Sequence, residues 1–575
     1  MRSFDSTFNR VYVGQRRTET SSISSALSLA RKQEFDFVVT QIRKASRGKF
    51  DDLIDTRNVP SSSMSSSVIG LLSDLDADSC QNIDRIISEY SWAVHCGFYA
   101  VVLNRGGAPS GLVTEIVSQY YETHALHPCL TRLWISVDVG SWHVWDRIRR
   151  DAVHPARLCV YLRVEKMDQI SQNCFDRWLG EPVAVFELPL GFEESESTLK
   201  FARQLIQRNA QPVLMDSAGI RHIFEFLEKS PALTWEQAYI GPYHDQLQLP
   251  LQPLADNMEN TVYETFEEDR MKYDLYEKAI HQALVDFLKS HRRREIRISV
   301  LGAGRGGLID SVIRAISRIP DESLSFFIDG VEKNPNAART LRYKVRDDGL
   351  WCSDRRTEIT IVESDMRSWK PSTLVDIMVS ELLGSLGDNE ASPECIYGAW
   401  SCLNPDGGIC IPQRYVSSLE PVSCEKAWVA ARETHKLEHL LVSALHSCYK
   451  PCLPEYLFEF DHRFSPSSSD RSKTLSWVVD NDSTIHGFSG YFHCDLYGDV
   501  VLSIHPPTKS EDMVSWFPAF LPLKHPLYLA SGQRLCVRVD RKVQADKLWF
   551  EWTVTGPIPQ PTNNSNGAVY TIGLS

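Results

Sequence analysis

Glu381 and Glu390 stand nine residues apart on the segment Val-Ser-Glu-Leu-Leu-Gly-Ser-Leu-Gly-Asp-Asn-Glu-Ala-Ser-Pro-Glu, residues 379–394, which follows a short apolar run at 375–379. Nine residues make about two and a half helical turns, so a helix would put the two side chains on opposite faces. An odd spacing on a strand does the same. They converge only if the chain folds back between them, and Gly384, Gly387, Asp388 and Asn389 are residue types that permit such a bend. Converging carboxylates repel until a cation separates them, so the pair would suit a positively charged substrate. Left apart, they are ordinary acids on a solvated loop.

The elements upstream bear on that choice. A β-rich run at 296–301 leads into Gly302-Ala-Gly304-Arg-Gly306-Gly307, and Ile309, Val312, Ile313 and Ile316 give the next stretch, 308–319, helical spacing. Strand, glycine turn and helix make the first unit of a nucleotide-binding α/β domain, where a ligand lies directly against the backbone. A second strand, 326–331, ends in Glu332, a third, 359–362, ends near Asp365, and a fourth, 375–379, delivers the two glutamates. An acid at the tip of the second strand grips ribose hydroxyls in NAD and S-adenosylmethionine domains alike. Before the first strand, Leu275, Ala279, Ala283 and Phe287 mark a helix whose basic end, 291–294, suits the negative end of its dipole.

The chain has 575 residues, too many for one core. Residues 1–235 alternate β-rich runs (11–13, 35–42, 98–103, 133–137, 158–164, 183–188, 213–215) with amphipathic stretches. Seven or so such units fit a TIM-type (β/α) barrel better than a short open sheet, although periodicity alone leaves the doubly wound sheet open. The serine run at 61–67 reads as a flexible loop within it. No acid/base cluster stands out there, so a scaffolding role is expected. Residues 236–262 read as a linker and 263–412 as a Rossmann-like domain. Residues 413–575 read as a β-barrel or sandwich interrupted by one helical stretch at 425–442.

With 61 basic and 74 acidic residues the net charge is −13, which argues against direct nucleic-acid binding and for a cationic partner. No apolar run is long enough to span a membrane, and the first residues lack the apolar core of a signal peptide. The 14 cysteines include no CxxC pair; His446, Cys448 and Cys452 form the one tight His/Cys group, with no second group to complete a zinc site. No metal is expected, and reduced thiols fit a cytoplasmic or nuclear protein.

The block 379–398, with 301–308 and 331–336, resembles the protein arginine N-methyltransferases, and Val-Ser-Glu-Leu-Leu-Gly-Ser looks like the double-glutamate loop of their type II branch, which makes symmetric dimethylarginine. Further stretches at 251–257, 263–269, 271–273, 515–518, 570–574 and, earlier, Arg177-Trp-Leu-Gly-Glu-Pro182 agree with that branch. The resemblance implies a TIM-type barrel, an S-adenosylmethionine-dependent methyltransferase domain and a β-barrel carrying a dimerisation arm. It also implies that Tyr263, Lys272, Tyr273, Gly302, Gly304, Glu332, Asp365 and Met366 hold S-adenosylmethionine, and that Glu381 and Glu390 grip the substrate guanidinium. Phe266 would favour symmetric product and Trp516 would line the substrate pocket.

The residue types suit that task. Arginine stays protonated, and two carboxylates can clamp its planar fork, aim one nitrogen at the methyl group and take the proton. The implied substrates are arginines in basic or glycine-rich tails of histones, splicing proteins and RNA-binding proteins, and the implied assembly is a homodimer or larger homo-oligomer. The compact N-terminal domain shows no clear counterpart of the loop by which vertebrate relatives bind a WD-repeat adaptor. Two departures stand out: Gly307 replaces a common Pro, and Leu386-Gly387 replace a common Phe-Ala, a pair expected to free the loop. Two other classes remain open at this point. A catalytically silent scaffold would have no use for both glutamates, and an NAD-dependent oxidoreductase would leave their loop unexplained.

Overall fold

The computed structural model describes residues 11–17, 22–42, 53, 56, 59–75, 81–104, 108–124, 131–152, 158–164, 172–229, 231–291, 293–351, 354–464 and 468–574. Among them, eight parallel strands close into a barrel: β1 (Gly14–Arg17), β2 (Phe37–Gln41), β3 (Val68–Leu71), β4 (Ala100–Asn104), β5 (Arg132–Asp138), β6 (Cys159–Arg163), β7 (Val183–Glu187) and β8 (Gln211–Leu214). The ring closes where Gly14 of β1 pairs with Val213 of β8. Most strands are buried on both faces and read as apolar runs; β1, Gly-Gln-Arg-Arg, is the exception, and it begins just after the apolar run expected at 11–13. Val39, Val102, Trp134, Tyr161 and Val185 fill the interior, while Val38, Val101, Ile135, Leu162 and Phe186 face the surrounding helices.

Two expectations fail here. The serine run is not a loop but the helix Ser61–Ser67. Met64 anchors it in the core, and the Ser65 and Ser66 hydroxyls donate to the Ser62 carbonyl, so serine's affinity for backbone is spent inside the helix. The strand that follows, β3, was missed.

The central domain holds a five-stranded parallel sheet in the order β11-β10-β9-β12-β13, comprising β9 (Glu295–Leu301), β10 (Ser325–Glu332), β11 (Thr357–Glu363), β12 (Ile377–Ser380) and β13 (Ile409–Ile411). The strand order reverses between β9 and β12, so a crevice opens beyond their carboxyl ends. The glycine turn follows β9 and Glu381 follows β12.

The C-terminal domain is built from antiparallel strands: β14 (Arg414–Val422), β15 (Leu441–Val442), β16 (Glu455–Asp461), β17 (Arg471–Val478), β18 (Ser483–Tyr497), β19 (Val500–Ser503), β20 (Ala519–Leu529), β21 (Arg534–Val543), β22 (Lys547–Gly556) and β23 (Ile572–Gly573). Among the described residues they form a six-stranded and a four-stranded sheet whose apolar faces join one core with the central domain. The helix expected over 425–442 spans only Glu425–Glu433. His435 adopts φ +57° and the Lys436 N–H donates back to the Ala431 carbonyl at 2.7 Å, a Schellman-type stop that frees Leu441–Val442 to pair with β20.

The Arg177-Trp-Leu-Gly-Glu motif lies on the seam between the barrel and this domain. A side chain at Gly180 would come within 2.6 Å of the Ser423 carbonyl. Glu181 accepts from the indoles of Trp142 (2.9 Å) and Trp145 (2.7 Å) and from Arg149 (2.6 Å), and Arg149 also donates to Asp146 (2.7 Å) and, across the seam, to Glu425 (3.1 Å). All four ionic side chains are buried, and burial raises the pKa of Glu181 and takes that of Glu425 to about 7.

Arg149→Met leaves buried Glu181 and Glu425 without their cation, while Asp146 keeps Arg150 at 2.8 Å, a change of the kind that costs about 3–5 kcal/mol. Calorimetry is expected to show a lower unfolding midpoint, with a smaller loss near about pH 5, where the acids can take protons, than near about pH 8.

Candidate active site

The glycine turn is held open from beneath. Gly302 and Gly304 take φ of +72° and +54°, a region that strains other residues. A Cβ on Gly304 would lie 3.2 Å from the Tyr263 ring, and one on Gly302 would lie 3.2 Å from Leu382 and 3.5 Å from Met366. Glu332, at the end of β10, accepts from the Gly304 N–H (2.7 Å) and the Asn334 N–H (2.7 Å); its burial raises its pKa above the usual carboxylate range. Arg305 reaches from the turn to Glu264 (3.1 Å) and Glu267 (3.2 Å), tying down the helix Asn260–Glu268 that carries Tyr263 and Phe266.

The segment between the glutamates folds back, as their spacing requires. Gly384 and Gly387 exchange backbone hydrogen bonds (3.2 and 2.7 Å), and the Asn389 side-chain oxygen accepts from the Leu386 N–H (2.7 Å). Gly384 leaves room for Asn389, whose side chain would stand 2.4 Å from a Cβ there. Before the turn, the Tyr276 hydroxyl donates to the Ser380 carbonyl (2.9 Å), and Glu381 accepts from the Leu383 N–H (3.0 Å). Beyond it, Ala391 adopts φ +65° and the helix Ser392–Ala399 begins. The freedom expected of Leu386-Gly387 is not there. Leu386 is fully buried in a space that Gly490 leaves for it, and Gly387, at φ +82°, lies against the Tyr415 ring.

Both glutamates are pushed above the usual carboxylate range. For Glu381 the cause is burial, opposed by Lys272; for Glu390 it is burial reinforced by Glu381. The Lys272 ammonium stands 3.8 Å from Glu381 and within 5.2, 4.9 and 5.3 Å of the ring centres of Phe266, Tyr273 and Trp516, with its pKa lowered by burial. The site therefore holds a cation in an aromatic cage. Asp269 fixes the cage. It accepts from the Lys272 N–H (3.2 Å) at the start of the helix Arg270–Ser290 and from the Val514 (3.0 Å) and Ser515 (2.8 Å) N–H groups beside Trp516. The Trp516 indole in turn donates to the Leu383 carbonyl (2.7 Å).

Tyr263, Phe266, Lys272, Tyr273, Gly302, Gly304, Glu332, Asp365, Met366, Glu381, Glu390 and Trp516 all line one cavity of about 440 Å³ at the crevice between β9 and β12. All twelve residues singled out from the sequence are thus brought together. The Asp365 carboxylate is not free in it, being paired with Arg367 at 2.6 Å. Gly307 gives room to the Tyr273 ring, 2.6 Å from where a Cβ would stand. Sequence reasoning missed Asp269 and Tyr276, and read Asn389 only as a turn former; an Asp just ahead of a helical period was a legible cap signal, and Tyr276 carried none. Among the described residues no group of three or more His, Cys, Asp or Glu side chains is placed to hold a metal ion.

Residues 41–192 match the family model described as the PRMT5 TIM barrel domain, 235–411 that of the PRMT5 arginine-N-methyltransferase and 414–572 that of the PRMT5 oligomerisation domain. The chain is 35% identical over 487 residues to protein arginine N-methyltransferase 5 of Oryza sativa subsp. indica, covering 76% of this chain and 74% of that one. It is 35% identical to the Xenopus laevis protein of the same name over 464 residues, covering 76% and 72%. It is 32% identical to protein arginine N-methyltransferase skb1 of Schizosaccharomyces pombe over 538 residues, covering 84% of each.

Lys272→Met keeps the apolar stem and removes the charge that opposes Glu381 and Glu390. Both acids then move further up, and the folded protein holds protons that the unfolded chain releases above its ordinary carboxylate range, so stability falls as pH rises. The gap in melting temperature between wild type and variant is expected to widen from about pH 5 to about pH 8; a constant gap would show that the acids do not sense Lys272.

Proposed function

The chain belongs to the protein arginine N-methyltransferase 5 family, and from that premise we propose that it methylates protein arginines with S-adenosylmethionine as donor, giving monomethyl and symmetric dimethylarginine. One observation carries the reading: the Glu381 carboxylate and three aromatic rings already surround a cation, in a cavity that Glu390 also lines and that opens onto a glycine turn. A guanidinium is a cation of the kind such a cage accepts.

The donor side fits what the residues offer. The turn brings bare backbone to the cavity, Glu332 stands at the ribose position of this fold, and the volume suits a drug-sized ligand. Tyr263 would pack on the nucleoside, Asp365 and Met366 would meet the base, and Lys272 and Tyr273 would meet the amino-acid end. Bound there, S-adenosylmethionine supplies a sulfonium methyl group. Glu381 and Glu390 then clamp the guanidinium and aim one nitrogen; their raised pKa values suit a group that receives the proton as the new bond forms. Holding nucleophile and methyl in line supplies most of the gain. Lys272 occupies the cage here, and a guanidinium entering it would take the place of that ammonium.

The symmetric outcome rests on Phe266. Its ring forms one wall of the cage, so a monomethylated arginine fits with its methyl on one nitrogen and presents the other. The proposal extends to arginines in basic or glycine-rich tails of histones, splicing proteins and RNA-binding proteins, to a homodimer or larger homo-oligomer formed through residues 414–572, and to work in cytoplasm and nucleus. A WD-repeat adaptor on the barrel is compatible with this reading and is not required by it.

Incubation with labelled S-adenosylmethionine and a histone-tail peptide, followed by separation of methylarginine isomers, tests the whole. Symmetric product is expected; absence of transfer in the presence of donor binding would favour a scaffold. Glu381→Gln is expected to lower turnover at least about a hundredfold, in the range lost with an acid–base group, while donor binding persists. Phe266→Met is expected to release some asymmetric product, and an unchanged isomer ratio would remove the steric account.

A further inference from the structure

The grip on Glu390 comes from another domain. Arg541 lies on β21 of the four-stranded sheet with its side chain fully buried. Its Nη1 and Nη2 donate to Oε1 and Oε2 of Glu394 at 2.9 and 2.8 Å, a fork-to-fork pair. Nη2 also donates to the Asp388 carbonyl (3.2 Å), Nε stands 2.7 Å from the Asp388 carboxylate, and Nη1 donates to the Ser469 carbonyl (3.0 Å). One guanidinium thus holds the chain two residues before Glu390 and four residues after it. Burial takes the Asp388 pKa to about 6, while the pair with Arg541 keeps Glu394 below the usual range.

None of Asp388, Glu394 and Arg541 lines the cavity, so their charges are not there to meet a substrate. Between the two grips Ala391 sits in the left-handed region, a strained conformation for a residue with a side chain, which persists only where the surroundings over-determine it. Hydrogen bonds of the hairpin itself hold its near arm, at Gly384, Leu386 and Gly387; Arg541 holds the far arm, where Glu390 is.

We propose that Arg541 is a positioning residue, which sets where Glu390 stands in the cavity by clamping the loop on both sides of it. This assignment rests on the function proposed above for Glu390, and its test separates the two. Arg541→Lys keeps a buried positive charge but cannot reach both flanks as a fork. In the full chain, Arg541→Lys is expected to lower kcat for an arginine peptide at least tenfold, with the dissociation constant for S-adenosylhomocysteine changed less than twofold. Glu394→Gln, nearly isosteric, is expected to give the same split to a smaller degree, and carries the test should Arg541→Lys fail to fold. A brace needed only for charge balance would leave kcat of Arg541→Lys within twofold of wild type, and a general collapse would weaken donor binding in parallel; either result overturns the assignment. Hydrogen exchange at Cys395, whose N–H donates to the Ala391 carbonyl (3.1 Å) on the far arm, reads the loop without any methyl transfer. It is expected to quicken at least tenfold in Arg541→Lys, and unchanged exchange would overturn the assignment. A wild-type protein that binds donor yet methylates no arginine would overturn the proposed function alone.

Discussion

Like charges repel most where water is scarce, and Glu381 and Glu390 face the same largely buried cavity. Much of the surrounding architecture answers that constraint. Lys272 supplies a countercharge, the Leu383 N–H stabilises one carboxylate, and Asp269 keeps the cationic helix and the Trp516 segment in register. The parts come from three segments of the chain. The acids hang from the central sheet, the ammonium from the helix before it, and the indole from the β domain after it. The cavity is therefore not a feature of the central domain alone; it closes only where all these segments meet.

What the sequence made legible is what local chemistry fixes. A strand, a turn of four glycines and a helix have one common use, and an acid at the next strand tip narrows it. Spacing alone said that Glu381 and Glu390 could meet only across a bend, because neither regular structure brings them together; that they do meet took the upstream elements and the family resemblance. Asp388 was read as a turn former; its ion pair with Arg541 was invisible, since no periodicity links residues so far apart in the chain. The same holds for Glu425, whose partner Arg149 lies 276 residues away.

The misreadings have local causes too. Seven small polar residues, serine but for one methionine, look like a loop by composition, yet that single buried methionine decides otherwise. The long helix expected from 425 onward stops because His435 takes a left-handed turn, a choice that side-chain spacing does not reveal.

Glu394 and Arg541 are separated by 147 residues. At roughly 5–20 residues per second, synthesis of that interval takes roughly 7–30 s, and throughout it the nascent chain possesses both glutamates without the guanidinium that brackets the second. The strands and glycine turn of the crevice lie within the central domain and are made before Arg541. The clamp proposed for Glu390 is thus completed late in synthesis, once β21 of the last large sheet has been made.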